Sequence, residues 1–342
     1  MRFLKAVFIV LFAIFTNKLF AQQPVITVLD SGHKVSLRGL SVVNDNVVWA
    51  SGSNGTVARS INGGKTFEWL TVQGYEKRDF RDVEAFDENT AVIMGVDEPA
   101  VILRTTDGGK SWLPAFIDTT KGMFLDAMNF SGKTGVVVGD PINNHVFVAY
   151  TKDGGETWHK TDTKGTTITL QKDEAFFASS GTNVKVVTDA SSSTNQVLFV
   201  SGGSRSRLIN DDVMTDMPLL QGSASQGANS IDVLGEEAVV VGGDFAHDTV
   251  SHDNCVLFNI TGSNITFNRP QTPPHGYRSC VAFISKKQLI TCGTSGVDIS
   301  KDGGKNWQLI SSQSFHVCQK AKRGGAVFLA GGGGRIARLQ GK

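Results

Sequence analysis

One short pattern, Ser/Thr-x-Asp-Gly-Gly-x-Ser/Thr-Trp, constrains this chain more than any other feature. It reads as Thr105–Trp112 and Thr151–Trp158, recurs at Ser300–Trp307 with Asn306 in the seventh place, and has a weaker copy at Ser60–Phe67 with Asn62 for Asp. Paired glycines supply the positive φ values that a tight hairpin turn needs. The third position, filled by Asn62, Asp107, Asp153 and Asp302, accepts backbone N–H groups inside the turn. The closing aromatic opens the next strand and packs between sheets. None of these roles is catalytic, so the pattern speaks to architecture.

The spacing sets the scale. Asn62, Asp107 and Asp153 follow one another at about 45 residues, the length of a four-stranded propeller blade. Asp302 lies about three such steps further on, which predicts two intervening blades without the turn. A second feature recurs with it: an apolar strand, a turn, and another apolar strand ending in Gly or a small residue. The pairs are Ser36–Val43 with Val47–Gly52, Asp79–Phe86 with Ala91–Gly95, and Met123–Met128 with Val136–Asp140. A degenerate fourth has Ala175–Gly181 as its first strand, then Val197–Gly203 and Arg205–Ile209. The fifth is Ala228–Val233, Ala238–Gly243 and Asn254–Phe258, and the sixth is Tyr277–Phe283 with Leu289–Gly293. The seventh, Phe315–Cys318, Val327–Gly331 and Arg335–Leu339, ends one strand short. An open edge there would invite aggregation, and Pro24–Leu29 is an unclaimed strand of the right length. The expected fold is therefore all-β, a seven-bladed β-propeller over residues 22–342, closed by its N-terminal strand. The 38 glycines against 8 prolines suit many short strands joined by tight turns.

Residues 1–21 read as a secretory signal peptide: Arg2 and Lys5, an apolar run Ala6–Phe15, and a small Ala21 before the expected cut. The run is short for a membrane span, and no Cys precedes Cys255 to carry a lipid. The chain is expected to be exported, to periplasm or medium, with no membrane span after cleavage. Loss of Arg2, Lys5 and Lys18 moves the formal charge from +1 to −2. A near-neutral protein gives no electrostatic support for nucleic-acid binding.

In a propeller the start of each inner strand and the loop between second and third strands open on one face, and the Gly-Gly turns lie on the other. The inner-strand starts are Arg38, Arg81, Asp82, Asp126, Asn229, Arg278 and His316. The loops add Asp97, Glu98, Asp140, Asn143, His145, Arg205, Arg207, Asp244, His247 and Asp248. Polar groups converging on a concave mouth make this the candidate ligand or partner site. Asp244, His247, Asp248, His252 and Asp253 are metal-ligand types, but their spacing matches no defined signature, and no metal or cofactor is expected. There is no CxxC motif and no dinucleotide fingerprint. Cys280 and Cys292 flank a short hairpin and could face one another, as a disulfide or as buried thiols. The Asn259 and Asn264 sequons matter only in a eukaryotic secretory pathway.

The turn pattern is similar to the Asp-box of sialidases, sortilin-type receptors and other propellers. The series of motifs resembles, more specifically, the photosystem II stability/assembly factor family and its exported bacterial homologues. It is carried by Arg38-Gly39-Leu40, Phe80-Arg81-Asp82, the boxes, Ala178–Thr182, Val241–Phe245, Gly276–Ser279 and Gly334–Ala337. The resemblance implies a non-catalytic binding or assembly scaffold with a protein partner in the cell envelope. The alternative is a sialidase-like glycosidase or glycan-binding propeller, in which Arg38, Arg81 and Arg278 would clamp a carboxylate. The sialidase Phe-Arg-Ile-Pro start is absent here, since Asp82-Val83 follows Phe80-Arg81. A glycosidase also needs two carboxyl groups flanking the bond, and no such pair is evident.

Overall fold

The computed structural model describes residues 23–142, 145–161, 168–188, 195–261 and 265–341. The segment read as a signal peptide lies outside these ranges, as do Asn143 and Asn264. The described residues contain no helix. Their antiparallel sheets form seven blades in a ring, a seven-bladed β-propeller.

From the channel outward, blade 1 is Leu37–Val42, Val48–Gly52, Thr56–Ser60 and Glu68–Thr71. Blades 2 and 3 repeat this order from Phe80–Ala85 and Leu125–Ser131. Blade 6 does so from Cys280–Phe283. Blade 7 has Val317–Lys320 innermost, and its outermost strand is Val25–Asp30 from the other end of the chain. Val25 stands opposite Gln340, Thr27 opposite Arg338 and Val28 opposite Ala337, so the N-terminal strand closes the ring as expected. The apolar cluster beneath this seam runs from Ile290 of blade 6 through Phe328 of blade 7 to Leu40 of blade 1.

Each Gly-Gly turn joins third to fourth strand and repeats one hydrogen-bond set. In blade 2, Gly109 N–H donates to Thr105 Oγ1 at 3.0 Å, and Asp107 Oδ1 accepts from Thr105 Oγ1 at 2.8 Å and from Ser111 N at 3.0 Å. Thr151 with Asp153, Ser300 with Asp302 and Ser60 with Asn62 do the same. The second glycine sits at positive φ, +85° at Gly109, against the preceding blade. Trp112 meets Trp49 edge-on there, 6.4 Å between centroids. These bonds, led by that from the Ser111 hydroxyl to Asp107 Oδ2 at 2.6 Å, hold the Asp107 carboxyl down to about 2.

Blade 4 departs from the sequence expectation. Its innermost strand is Val184–Thr188, paired to Asn195–Val200, and not Ala175–Gly181. The Phe176-Phe177 run suggests a core strand; the alternation Val184-Lys185-Val186 is the true signal of a half-buried one. Glu174–Ala175 instead pairs with Gly202–Gly203 and extends the sheet of blade 5 on its channel side. Glu174 is anchored by Arg207, whose Nε and Nη2 reach its two oxygens at 2.8 and 2.6 Å.

Candidate functional site

The inner strands of blades 1, 2, 3 and 5 share one irregularity. Pairing runs Leu37↔Gly52 then Gly39↔Ser51, Phe80↔Gly95 then Asp82↔Met94, Leu125↔Gly139 then Ala127↔Val138, and Ala228↔Gly242 then Ser230↔Val241. The unpaired residues are Arg38, Arg81, Asp126 and Asn229. A β-bulge at the start of a strand re-aims one side chain, and here four blades use it to turn a polar residue toward the channel.

Blade 6 shows why the sequence misplaced Arg278. A Cβ on Gly293 would come 3.0 Å from Arg278 Cα, just as one on Gly52 would come 3.0 Å from Leu37 Cα. Arg278 therefore occupies the core position of Leu37, and Ser279 is the equivalent of Arg38. A one-residue slip exchanges the faces of a strand. Arg278 is fully buried and ion-paired to Asp298, which it meets through Nε at 2.8 Å and through Nη2. It also donates to Tyr277 O and to Ser295 Oγ. No three-arginine clamp forms. In blade 7 the same test places Phe315 at the core position, so His316 does face the channel.

Residues Phe176–Thr182 cross that channel. Ala178 O accepts from Arg81 Nη1 at 3.4 Å and Ser179 O from Arg38 Nη1 at 3.0 Å. Ser179 Oγ donates to Asn229 Oδ1 at 2.6 Å, and Ser180 Oγ donates to Ser279 O at 2.7 Å. Thr182 Oγ1 donates to Ser230 Oγ, and Phe176 N–H donates to Asp140 Oδ1. One segment thus touches blades 1, 2, 3, 5 and 6. Its fold could not be read from the Phe-rich run, because every anchor comes from a distant blade.

Above this segment opens a bowl of about 430 Å³. Arg38, Arg81, Asp126, Ser279 and His316 contribute its polar lining, and Phe124, Phe177, Phe245 and Tyr277 its aromatic walls. Asp82 and Asn229 lie beneath it: Asp82 accepts from Val83 N and Met128 N at 2.8 and 2.7 Å, and Asn229 accepts from the Tyr277 hydroxyl at 2.8 Å. Burial raises the Asp82 carboxyl well above its ordinary range and pushes Tyr277 up to about 12.

The bowl's electrostatics are uneven. Arg81 is paired to Asp79, Nε to Oδ2 at 2.8 Å, whereas the Arg38 guanidinium has no carboxylate partner among the described residues. Burial and the neighbouring Arg81 both lower the Arg38 pKa, yet a guanidinium keeps its proton. His316 falls to about 4, through burial and then Arg38, so it is neutral at pH 7. Its Nδ1 lies 3.0 Å from Leu37 O, which can only accept; Nδ1 therefore carries the hydrogen. Asp126 is fully buried, and neither oxygen has a hydrogen-bond partner of good geometry among the described residues. Burial, then the nearby Asp140, raise its pKa well above the ordinary value.

The loop residues disperse. Arg205 pairs with Asp216 at 2.8 Å at the surface, and Glu98 caps Gly122 N. His145 opens a third strand, and Asp97 contributes its carbonyl to Arg78. Asp244 binds His247 at 3.0 Å, Asp253 pairs with Arg269 at 2.6 Å, and Asp248 O accepts from Tyr277 N. No group of three or more His, Cys, Asp or Glu that could hold a metal occurs among the described residues. The four cysteines are buried free thiols, with Cys280 directly opposite Cys292.

Fold and site together define a seven-bladed propeller with a plugged channel and a cationic, aromatic-walled bowl on one face. Residues 68–167 match the model of the photosynthesis system II assembly factor YCF48 family, and the chain resembles the assembly-factor propellers. Among solved structures, YCF48 bound to a D1 peptide is 16% identical, with 94% of this chain and 98% of that chain covered at a TM-score of 0.63. YCF48 from Cyanidioschyzon merolae is 16% identical over 92% and 98%, at 0.62. The RRP9 WD40 repeats give 13% over 94% and 99%, at 0.63. At such identities the likeness is one of fold. No curated protein sequence matches the chain.

Proposed function

We propose that this chain is an exported, non-catalytic propeller that binds a protein partner, as an assembly scaffold, through the face on which the bowl opens. The observation that carries this reading is the bowl itself. Its lining combines an unpaired guanidinium with exposed aromatic surface, Phe245 being 48% exposed at the wall. Asp126 is the one carboxyl group among the lining residues, which leaves the acid–nucleophile pair of a glycosidase without a second member. The D1 peptide held by a structural neighbour is a precedent for a protein segment as ligand on this fold.

A photo-crosslinking residue placed at Thr294 or Phe245, beside the bowl, tests the reading in native envelopes. It should give a defined protein adduct, and the same residue at Lys65, on the Gly-Gly turn face, should not. Adducts only from Lys65, or turnover on a glycan panel, would overturn it.

A further inference from the structure

The bowl's charge and shape specify more than a face. We propose that it takes a carboxylate carried next to an apolar group on a peptide, with Arg38 as the primary anchor and the aromatic wall holding the apolar neighbour. This rests on the protein-binding reading and names the group recognised.

The first argument is the state of Arg38. Its single hydrogen bond among the described residues runs from Nη1 to Ser179 O, which leaves most of its five donors unused. A guanidinium fork of this kind matches a carboxylate in geometry and charge. Arg81 stands close enough to depress the Arg38 pKa, and Asp79, the carboxylate paired to Arg81, is not among the residues that line the bowl. The floor is short of negative charge.

The second argument is Asp126. It is fully buried and without a hydrogen-bond partner of good geometry among the described residues, on the wall beside Arg81. An ionised Asp126 would have supplied the missing charge. Burial, then the nearby Asp140, disfavour its charged form, so it opposes a carboxylate ligand less than an ionised side chain would.

The third argument is the wall. Phe177, Phe245 and Tyr277 form a T-shaped series with centroids 5.9 and 6.1 Å apart. Aromatic faces and edges of this kind pack an apolar side chain. Main-chain carbonyls of Ala178 and Ser179 already point at Arg81 and Arg38, so the floor is built to receive oxygen ligands.

The same carboxylate chemistry could come from a chain terminus or from an acidic side chain, and the probes separate the two. Calorimetric titration would use N-acetyl-Ala-Ala-Phe as free acid, its C-terminal amide, and N-acetyl-Ala-Glu-Phe amide. The free acid or the Glu peptide should bind, and Ala-Ala-Phe amide should bind at least about tenfold more weakly. Whichever acid binds identifies the source. Arg38→Gln should weaken that peptide at least about tenfold, and Phe245→Ala, a change at an exposed side chain, should weaken it about three- to tenfold with the melting temperature unchanged. Raising salt should weaken it further. Equal binding of acid and amide, no binding by any probe, or unchanged binding in Arg38→Gln would overturn the assignment. Crosslinking at Thr294 together with equal binding of acid and amide would remove this inference while leaving the protein-binding reading intact.

Discussion

Arg38 on blade 1 and Ser179 on the segment entering blade 4 are joined across the channel by a 3.0 Å hydrogen bond from Nη1 to the main-chain carbonyl. The two residues are 141 positions apart in sequence. A side chain from the first blade thus fixes the backbone of the element that blocks the ring's centre. The stability of that element and the shape of the bowl are therefore one problem.

Gly181 is its tightest point. It has φ of +66°, and a Cβ there would fall 2.5 Å from Asp82 Oδ2. Gly181→Ala should therefore cost about 2–3 kcal/mol, through strained backbone and a displaced buried carboxyl. Urea denaturation would show it as a lower midpoint at unchanged slope. A variant as stable as the parent would mean that the crossing segment is not held against blade 2.

Asp126 should make stability fall as pH rises. Its folded pKa lies above the ordinary 3.8, so the folded state holds a proton that the unfolded state has released. The favourable contribution is complete below about 3.8 and is lost as pH climbs through the raised folded value. Asp126→Asn keeps the shape and removes the titration. Its melting temperature relative to the parent should increase from pH 4 to pH 8. A constant difference across that range would contradict the buried, unpaired assignment.

Arg278 and Asp298 should behave as a structural pair with no part in binding. Asp298→Asn leaves a guanidinium buried without its counter-charge, which should cost about 3–5 kcal/mol. Peptide titration at a temperature where the variant is folded should match the parent. Loss of binding in the folded variant would return Arg278 to the site.

Removing residues 23–30 should promote association of the ring. The strand Ile336–Gln340 would lose its outer partner and present an unpaired edge. The weight-average mass from light scattering should climb with concentration more steeply in the deletion than in the parent.

The blades were legible because their punctuation is local. The turns at Asn62, Asp107, Asp153 and Asp302 are closed by residues within four positions of each other. Strand ends such as Gly52 and Gly95 also mark themselves. Arg38, Arg81, Asp126 and His316 were found at the bowl for the same reason. What failed was register and reach. In blade 6 the residue equivalent to Arg38 is Ser279 and not Arg278, and nothing within that strand reveals it; the partner that keeps Arg278 in the core, Asp298, is two strands away. The role of Phe176–Thr182 was equally hidden, since it is set by contacts to five blades.

The seam in blade 7 also has a mechanical direction. Val25 stands opposite Gln340, so both ends of the described fold leave the ring at the same corner. A force that separates them acts across the ladder and loads its hydrogen bonds one after another, as in opening a zipper; it does not slide the two strands past each other. Tension between a tether at one terminus and a bound load at the other would peel Val25–Asp30 first, at low force. A load applied at the bowl would instead be shared by Arg38 of blade 1, Arg81 of blade 2 and His316 of blade 7, which line it together.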